Sequence, residues 1–177
     1  GTVYFLANGK ELWKTDGTDA GTVRVATFAA KPTQLVVAGA ELFLLVPVAG
    51  GSELWAGAGT AFSRLVPLAD PRDFTAVAGM VYWIDFRGPA PVLWSKAPGG
   101  SPVQITDPAF TAPQDLLAAG DRLVIVARPA AGASTALDLY AYDGSRVLRL
   151  SNLPGIDPKP QELTYVAGRV FFSAEDG

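Results

Sequence analysis

The chain has 177 residues and a formal net charge of −3, and it contains no cysteine and no histidine. These absences exclude a disulfide, a thiolate metal site, a cysteine nucleophile and a Ser-His-Asp triad within this chain. Lysine and arginine occur singly rather than as a basic stripe, so we expect no nucleic acid partner. The most apolar span, residues 33–50, is interrupted by Glu41 and Pro47, and we expect no membrane span.

Apolar runs that end in turn residues predict short β-strands along the whole chain. The first three runs lie at residues 2–7, 11–13 and 23–28. From there one order of elements recurs: an apolar run ending in Ala-Gly, a second apolar run, an aromatic residue after leucine, and a third apolar run. The Ala-Gly glycines, separated by 40, 41 and 48 residues, are Gly39, Gly79, Gly120 and Gly168.

A repeat of 40–48 residues with four short strands, which we label A to D, is typical of a β-propeller blade. The sequence therefore predicts an all-β propeller domain with four blade-type repeats of four antiparallel strands. The repeats span residues 1–28 (strands B to D), 33–68, 74–107 and 114–151, and final strands follow at 161–177. The B strands are apolar nearly throughout, which indicates cover on both faces.

Segment 111–123 carries competing signals. A threonine, a proline near the first turn and good helix formers favour a helix. Its position in the repeat favours strand A, and we predict a strand.

The stretch "ELWKTDGTDAGT" at residues 11–22 resembles the bacterial ELWxxDGT-type repeat, which is known from large secreted or surface proteins and is common in myxobacteria. "LTYVAGRVFFSAEDG" at 163–177 resembles the start of the same unit. The period extends over the whole chain, whereas the specific letters cover only its two ends. The resemblance implies a β-propeller at the cell surface or outside the cell, and it carries over no catalytic residue.

The first repeat lacks strand A, and two arrangements are open. In a closed ring of four blades, the strand at 161–168 completes the first repeat and removes exposed edges. In the other arrangement the chain is an arc of a larger propeller, completed by other segments of a longer chain or by a second copy. The second B strand at 169–174 is surplus in the closed ring and favours the arc, as does a start within a repeat, which suggests a processed piece of a longer protein.

Two sets of side chains are candidates for function. The strand-C aromatics recur in every repeat, which favours packing between blades over sugar stacking; they are Trp13, Trp55, Trp94 and Tyr140. Acidic residues recur around the loops between strand D and the next strand A, and they are Asp70, Asp73, Asp107, Asp115 and Asp157. Asp before Pro is an ordinary turn starter, yet paired carboxylates on one propeller face can bind a partner or act on a glycoside.

For Asp16, Gly17 and Thr18 we predict a turn rather than a calcium loop, because the spaced ligands and final glutamate of an EF-hand are missing. We expect no metal and no cofactor. The leading hypothesis is a non-enzymatic extracellular or cell-surface scaffold that binds a protein or glycan partner or self-associates. The alternatives are a glycan-cleaving enzyme that uses the loop carboxylates, and a purely structural fragment of a larger repeat protein.

Overall fold

The computed structural model describes residues 1–66, 71–86, 88–130, 136–151 and 159–175, except for the side chains of residues 66, 72 and 73. The chain divides into two compact units, Gly1–Pro71 and Arg72–Gly177. The described ranges contain seventeen strands and no helix.

Strands of the first unit form two antiparallel sheets in which neighbours along the chain pair. The first sheet, of order β1-β2-β3, comprises β1 (Val3–Ala7), β2 (Glu11–Thr15) and β3 (Val23–Thr27). The second sheet, of order β4-β5-β6-β7, comprises β4 (Gln34–Ala38), β5 (Glu41–Val48), β6 (Gly51–Ala58) and β7 (Ala61–Val66).

The second unit continues the same pattern with three sheets. The third sheet comprises β8 (Pro71–Val77), β9 (Met80–Asp85), β10 (Val92–Lys96) and β11 (Val103–Ile105). The fourth comprises β12 (Phe110–Ala119), β13 (Arg122–Pro129), β14 (Asp138–Tyr142) and β15 (Val147–Arg149). The last is the pair β16 (Gln161–Val166) and β17 (Arg169–Ser173).

These sheets confirm the predicted all-β fold with blade-type repeats of four antiparallel strands. The strand at the predicted position A after the fourth repeat, β16, is paired with β17, and the first sheet has three strands. The structure therefore joins the last strand A to the B strand that follows it in sequence.

Segment 111–123 contains no helix: residues 111–119 lie in strand β12, as the position in the repeat predicted, and a turn leads from there into β13. The proline of β12 is accommodated because the register of β12 against β13 shifts between Thr111 and Asp115, and Ala112 takes a φ of 46° there. Proline within a sheet is confined to edges and bulges, where no ladder hydrogen bond is lost. Pairing with β13 thus overrides the local helix signals.

Tight turns at the recurrent Ala-Gly pairs join strands A and B. In the third sheet the turn residues Ala78 and Gly79 have φ of 49° and 79°. In the last strand pair Ala167 and Gly168 have φ of 50° and 79°. Two successive positive φ values define the tight hairpin turn whose twist suits paired strands. The connection from strand C to strand D in the first repeat is longer, because seven residues, 16–22, separate β2 from β3.

Within each unit the core lies between neighbouring sheets, where apolar side chains of the B strands are buried. In the first unit, Leu12 and Phe28 pack with Leu42, Leu44 and Val46 of β5. In the second unit, one side of β13 packs against the third sheet and the other side packs against the last strand pair. The first cluster includes Tyr82, Ile84, Leu123 and Ile125, and the second includes Val124, Val126, Leu139, Leu163 and Val170.

Candidate functional site

Trp13, the aromatic residue of strand C in the first sheet, belongs to a group of side chains that hydrogen-bond the Glu11 carboxylate. The Glu11 carboxylate accepts hydrogen bonds from Trp13 Nε1 at 3.2 Å, from Arg24 Nη1 at 2.9 Å and from Asn8 Nδ2 at 2.8 Å. These bonds, that from Asn8 foremost, lower the pKa of Glu11 below its ordinary value. The carboxylate is therefore occupied by partners from its own sheet.

The second sheet repeats this arrangement. Glu53 accepts a hydrogen bond from Trp55 Nε1 at 3.1 Å and from Arg64 Nη1 at 2.7 Å. The Arg64 guanidinium is the main cause of the lowered pKa of Glu53. Trp55 also meets Phe28 edge to face with ring centroids 5.3 Å apart, so the strand-C aromatic contacts the sheet that precedes it.

In the fourth sheet an aspartate and a tyrosine take these positions. The buried Asp138 carboxylate pairs with Arg149 and accepts a hydrogen bond from Ser151 Oγ at 2.9 Å. Tyr140 is fully buried and packs against Phe110, with centroids 5.5 Å apart, and its hydroxyl has no hydrogen-bond partner among the described residues. The fourth sheet thus has the carboxylate-arginine pair, but the aromatic side chain makes no hydrogen bond to it.

In the third sheet, neither an acidic residue nor an arginine stands at the positions of this pair. Val92 stands at the acidic position and Gln104 lies opposite Trp94 where an arginine stands elsewhere. Trp94 stacks on Trp83 with centroids 6.2 Å apart, and within the described part of the chain neither indole N–H has a hydrogen-bond partner. Sequence reasoning missed the acid-aromatic-base group, although an acidic residue two positions before the aromatic was visible in three repeats.

The polar residues of the first-repeat loop hold one another in place. Asp16 Oδ1 accepts hydrogen bonds from Thr18 N at 3.0 Å and Thr18 Oγ1 at 2.7 Å, and the hydroxyls of Thr15 and Thr22 lie 2.7 Å apart. A Cβ added to Gly21 would lie 2.0 Å from Asp16 Oδ1, so a side chain at that position would displace the Asp16 carboxylate. The "DGTDAGT" stretch is thus a self-contained loop.

In the fourth sheet the Asp143 carboxylate likewise holds its loop through hydrogen bonds to neighbouring residues. The carboxylate accepts hydrogen bonds from the backbone N–H groups of Ser145 at 2.9 Å and Arg146 at 2.8 Å, and from Ser145 Oγ at 2.8 Å. These bonds, led by the Ser145 N–H, lower the pKa of Asp143 to about 2. This aspartate therefore stays ionised and shapes a turn.

Of the predicted loop carboxylates, Asp70 and Asp157 lie outside the described residues, as does the side chain of Asp73. Asp107 Oδ1 accepts a hydrogen bond from Ala109 N at 2.8 Å. Asp115 is half-buried, and burial raises the pKa of its carboxyl above the ordinary value, although Leu116 N donates to it at 2.8 Å. Asp107 lies in the loop before β12, whereas Asp115 lies within β12 opposite Val126, so only the first of the two is a loop carboxylate as predicted.

Asp107 lies at a shallow hollow of about 200 Å³ between strands β10 and β11 and the start of β12. Polar side chains line part of it, and they are Gln104, Thr106, Asp107 and Thr111. Apolar residues line the rest, among them Val92, Ile105 and Phe110. Asp115 does not line this hollow. Within the described ranges, no three Asp or Glu residues are grouped closely enough to hold a metal ion.

No known protein family model and no curated protein matches this chain. Solved structures do match its fold. A nidogen/laminin complex structure has a TM-score of 0.55 at 14% identity, and the match covers 98% of this chain and 67% of that one. TolB from Acinetobacter baumannii has a TM-score of 0.53 at 14% identity, with 90% and 42% covered. Puromycin hydrolase has a TM-score of 0.54 at 22% identity, with 93% and 29% covered.

The chain is a β-propeller. The matched regions are propellers, and at these identities the likeness extends to the fold alone. The chain spans less than half the length of TolB and of puromycin hydrolase. The described residues include no helix of the length and apolarity that crossing a membrane requires.

Proposed function

We propose that this propeller is a non-enzymatic scaffold of the bacterial cell surface or extracellular space, which binds a protein or glycan partner through the loops between strands D and A. The observation that carries the proposal is how the recurrent polar side chains are used. Glu11, Glu53 and Asp138 pair with arginines of their own sheets, and Asp16 and Asp143 hold turns. The polar side chains that recur in the repeats thus stabilise the sheets and turns of the blades themselves.

The hollow beside Asp107 is the part of the loop face best suited to a partner. Carboxylate, amide and hydroxyl groups line part of it, and these are the groups that hydrogen-bond sugar hydroxyls and peptide amides. Its volume of about 200 Å³ is below that of pockets for drug-sized ligands. We infer that it accepts one sugar unit or one side chain of a larger partner.

The test is a binding screen of the chain against polysaccharides and peptides, followed by titration calorimetry on each ligand found. Asp107→Asn keeps an oxygen for the Ala109 N–H and removes the charge, so we expect it to weaken binding at least tenfold. Asp121→Asn is the control, because the Asp121 side chain is 91% exposed on a turn of the same unit. Equal affinity of the wild type and Asp107→Asn would show that the partner binds elsewhere.

A glycan-cleaving enzyme is the second candidate, and the half-buried Asp115 favours it, because burial raises the pKa of its carboxyl and a general acid needs a carboxyl whose pKa is raised. Release of reducing ends from the polysaccharides that bind distinguishes the two. Hydrolysis that Asp115→Asn abolishes would overturn the scaffold proposal. Binding without hydrolysis supports it, and antibody labelling of intact cells tests the surface location.

A further inference from the structure

Two apolar surfaces are exposed, one on the first sheet and one on the last strand pair. The first, which we call the head face, is formed by Val3, Phe5 and Trp13 of β1 and β2; Val3 is 61% exposed and Phe5 37%. Phe5 and Trp13 lie opposite each other in the sheet and their rings stack with centroids 6.5 Å apart. Val3 shares this side, because side chains two apart on a strand point the same way.

The second surface, the tail face, is formed by Val166 and Phe171 of β16 and β17, which are 53% and 56% exposed. Phe171 lies opposite Thr164, and Val166, two residues along β16, projects to the same side. The other side of this pair bears Leu163 and Val170, which pack against the fourth sheet. The tail face is therefore the side of the last strand pair turned away from the fourth sheet.

The equivalent of the head face is covered within the first unit. In the second sheet Leu44 and Trp55 lie opposite each other as Phe5 and Trp13 do in the first. Leu44 is fully buried, and Trp55 meets Phe28 of the preceding repeat edge to face. A head face is thus the surface on which the preceding blade packs.

The equivalent of the tail face is covered as well. "VYFLA" at 3–7 aligns with "VFFSA" at 170–174, so Tyr4 corresponds to Phe171. The Tyr4 ring meets Phe62 of the second sheet edge to face at 6.1 Å, and the Tyr4 hydroxyl accepts a hydrogen bond from Gly59 N at 2.9 Å. A tail face is thus the surface on which the following blade packs.

We propose that the tail face of one copy of this chain packs against the head face of a second copy, as consecutive blades do within each unit. The chain builds this sheet-on-sheet contact between the first two sheets, between the third and fourth, and between the fourth and the last strand pair. The exposed faces are the two complementary halves of the same contact, so a second copy of this chain supplies the half that each face lacks. The association is head-to-tail, so it extends to a closed ring or a filament, and it does not depend on the partner proposed above.

Multi-angle light scattering of the whole chain over a hundredfold concentration range tests the proposal. We expect the molar mass to rise above the monomer value of 18.5 kDa as the concentration increases. Phe5→Glu blocks the head face and Phe171→Glu blocks the tail face, so each variant alone stays monomeric. Their equimolar mixture still holds one intact head and one intact tail, and it forms a dimer of twice the monomer mass.

Matched controls are Val37→Glu and Val103→Glu, whose wild-type side chains are 62% and 59% exposed outside both faces; both variants associate like the wild type. Val3→Glu and Val166→Glu repeat the test at a second position of each face if a phenylalanine variant loses its circular dichroism spectrum. A wild type that is monomeric throughout overturns the proposal. So does self-association of either blocked variant alone, a mixture that stays monomeric, or dissociation by both controls.

Discussion

Replacement of Tyr140 by phenylalanine should stabilise the protein, against the usual effect of truncating a buried tyrosine. The ring is fully buried against Phe110, and its hydroxyl has no hydrogen-bond partner in the described ranges. Burial is also the main cause that raises the pKa of this phenol. The hydroxyl has therefore lost its hydration without compensation, which costs roughly 1–3 kcal/mol.

Phenylalanine keeps the ring contacts and removes the unpaired hydroxyl, so we expect Tyr140→Phe to raise the free energy of unfolding by about 1 kcal/mol. Tyr142→Phe is the matched control from the same strand. Its hydroxyl donates to the Gly144 carbonyl oxygen at 2.8 Å, so the variant should lose about 1 kcal/mol or less. Urea unfolding followed by tryptophan fluorescence measures both, with an unchanged m-value as the check on each comparison.

A Tyr140→Phe variant that is less stable than the wild type by more than about 0.5 kcal/mol would refute this reasoning, since the hydroxyl must then have a partner. Stabilisation by Tyr142→Phe would be equally damaging. The difference in sign between the two substitutions is the decisive result, because both remove one oxygen from a tyrosine ring of β14.

Three further outcomes are expected. Glu53→Gln keeps an acceptor for Trp55 Nε1 but loses the charge that pairs with Arg64, and it should lower the free energy of unfolding by about 0.5–1 kcal/mol, an effect that 1 M salt reduces. The pKa of Asp143 is about 2 in the folded protein, below the ordinary value, so the stability that this carboxylate contributes is lost as the pH falls from about 4 to 2. Acid unfolding followed by circular dichroism should therefore show that the stability of Asp143→Asn depends less on pH over that window than the stability of the wild type. The raised pKa of Asp115 has the opposite sign, since ionisation disfavours the folded state above the ordinary pKa; Asp115→Asn should raise the midpoint of thermal unfolding at pH 7 and leave it nearly unchanged at pH 3.

Much of the fold was predictable because the repeat supplies several independent observations of one pattern. Segment 111–123 shows the value of this, since its letters favour a helix and only its place in the period indicates strand β12. The seven-residue connection before β3 was not predicted, because the bonds from Asp16 to Thr18 and the space at Gly21 depend on how the loop closes on itself.

The candidate site was predictable only in kind. The sequence indicated recurrent aromatics and loop carboxylates, and Asp107 does line a hollow. It did not indicate that Glu11 would bond both Trp13 and Arg24, because Arg24 stands 13 residues away and is brought alongside by the pairing of β2 with β3. Nor did it separate Asp107, which lines the hollow, from Asp115, which lies within β12 and does not line it.

By itself, the sequence determined the strand content, the blade period and the family resemblance, because alternation of apolar runs with turn residues is a local property of the chain. Tertiary structure alone decided that β16 pairs with β17, which side of each sheet is covered, and which polar groups are left without partners. These depend on contacts between residues far apart in sequence. A hydroxyl such as that of Tyr140 acquires its energetic cost only when the neighbouring sheet excludes water from it.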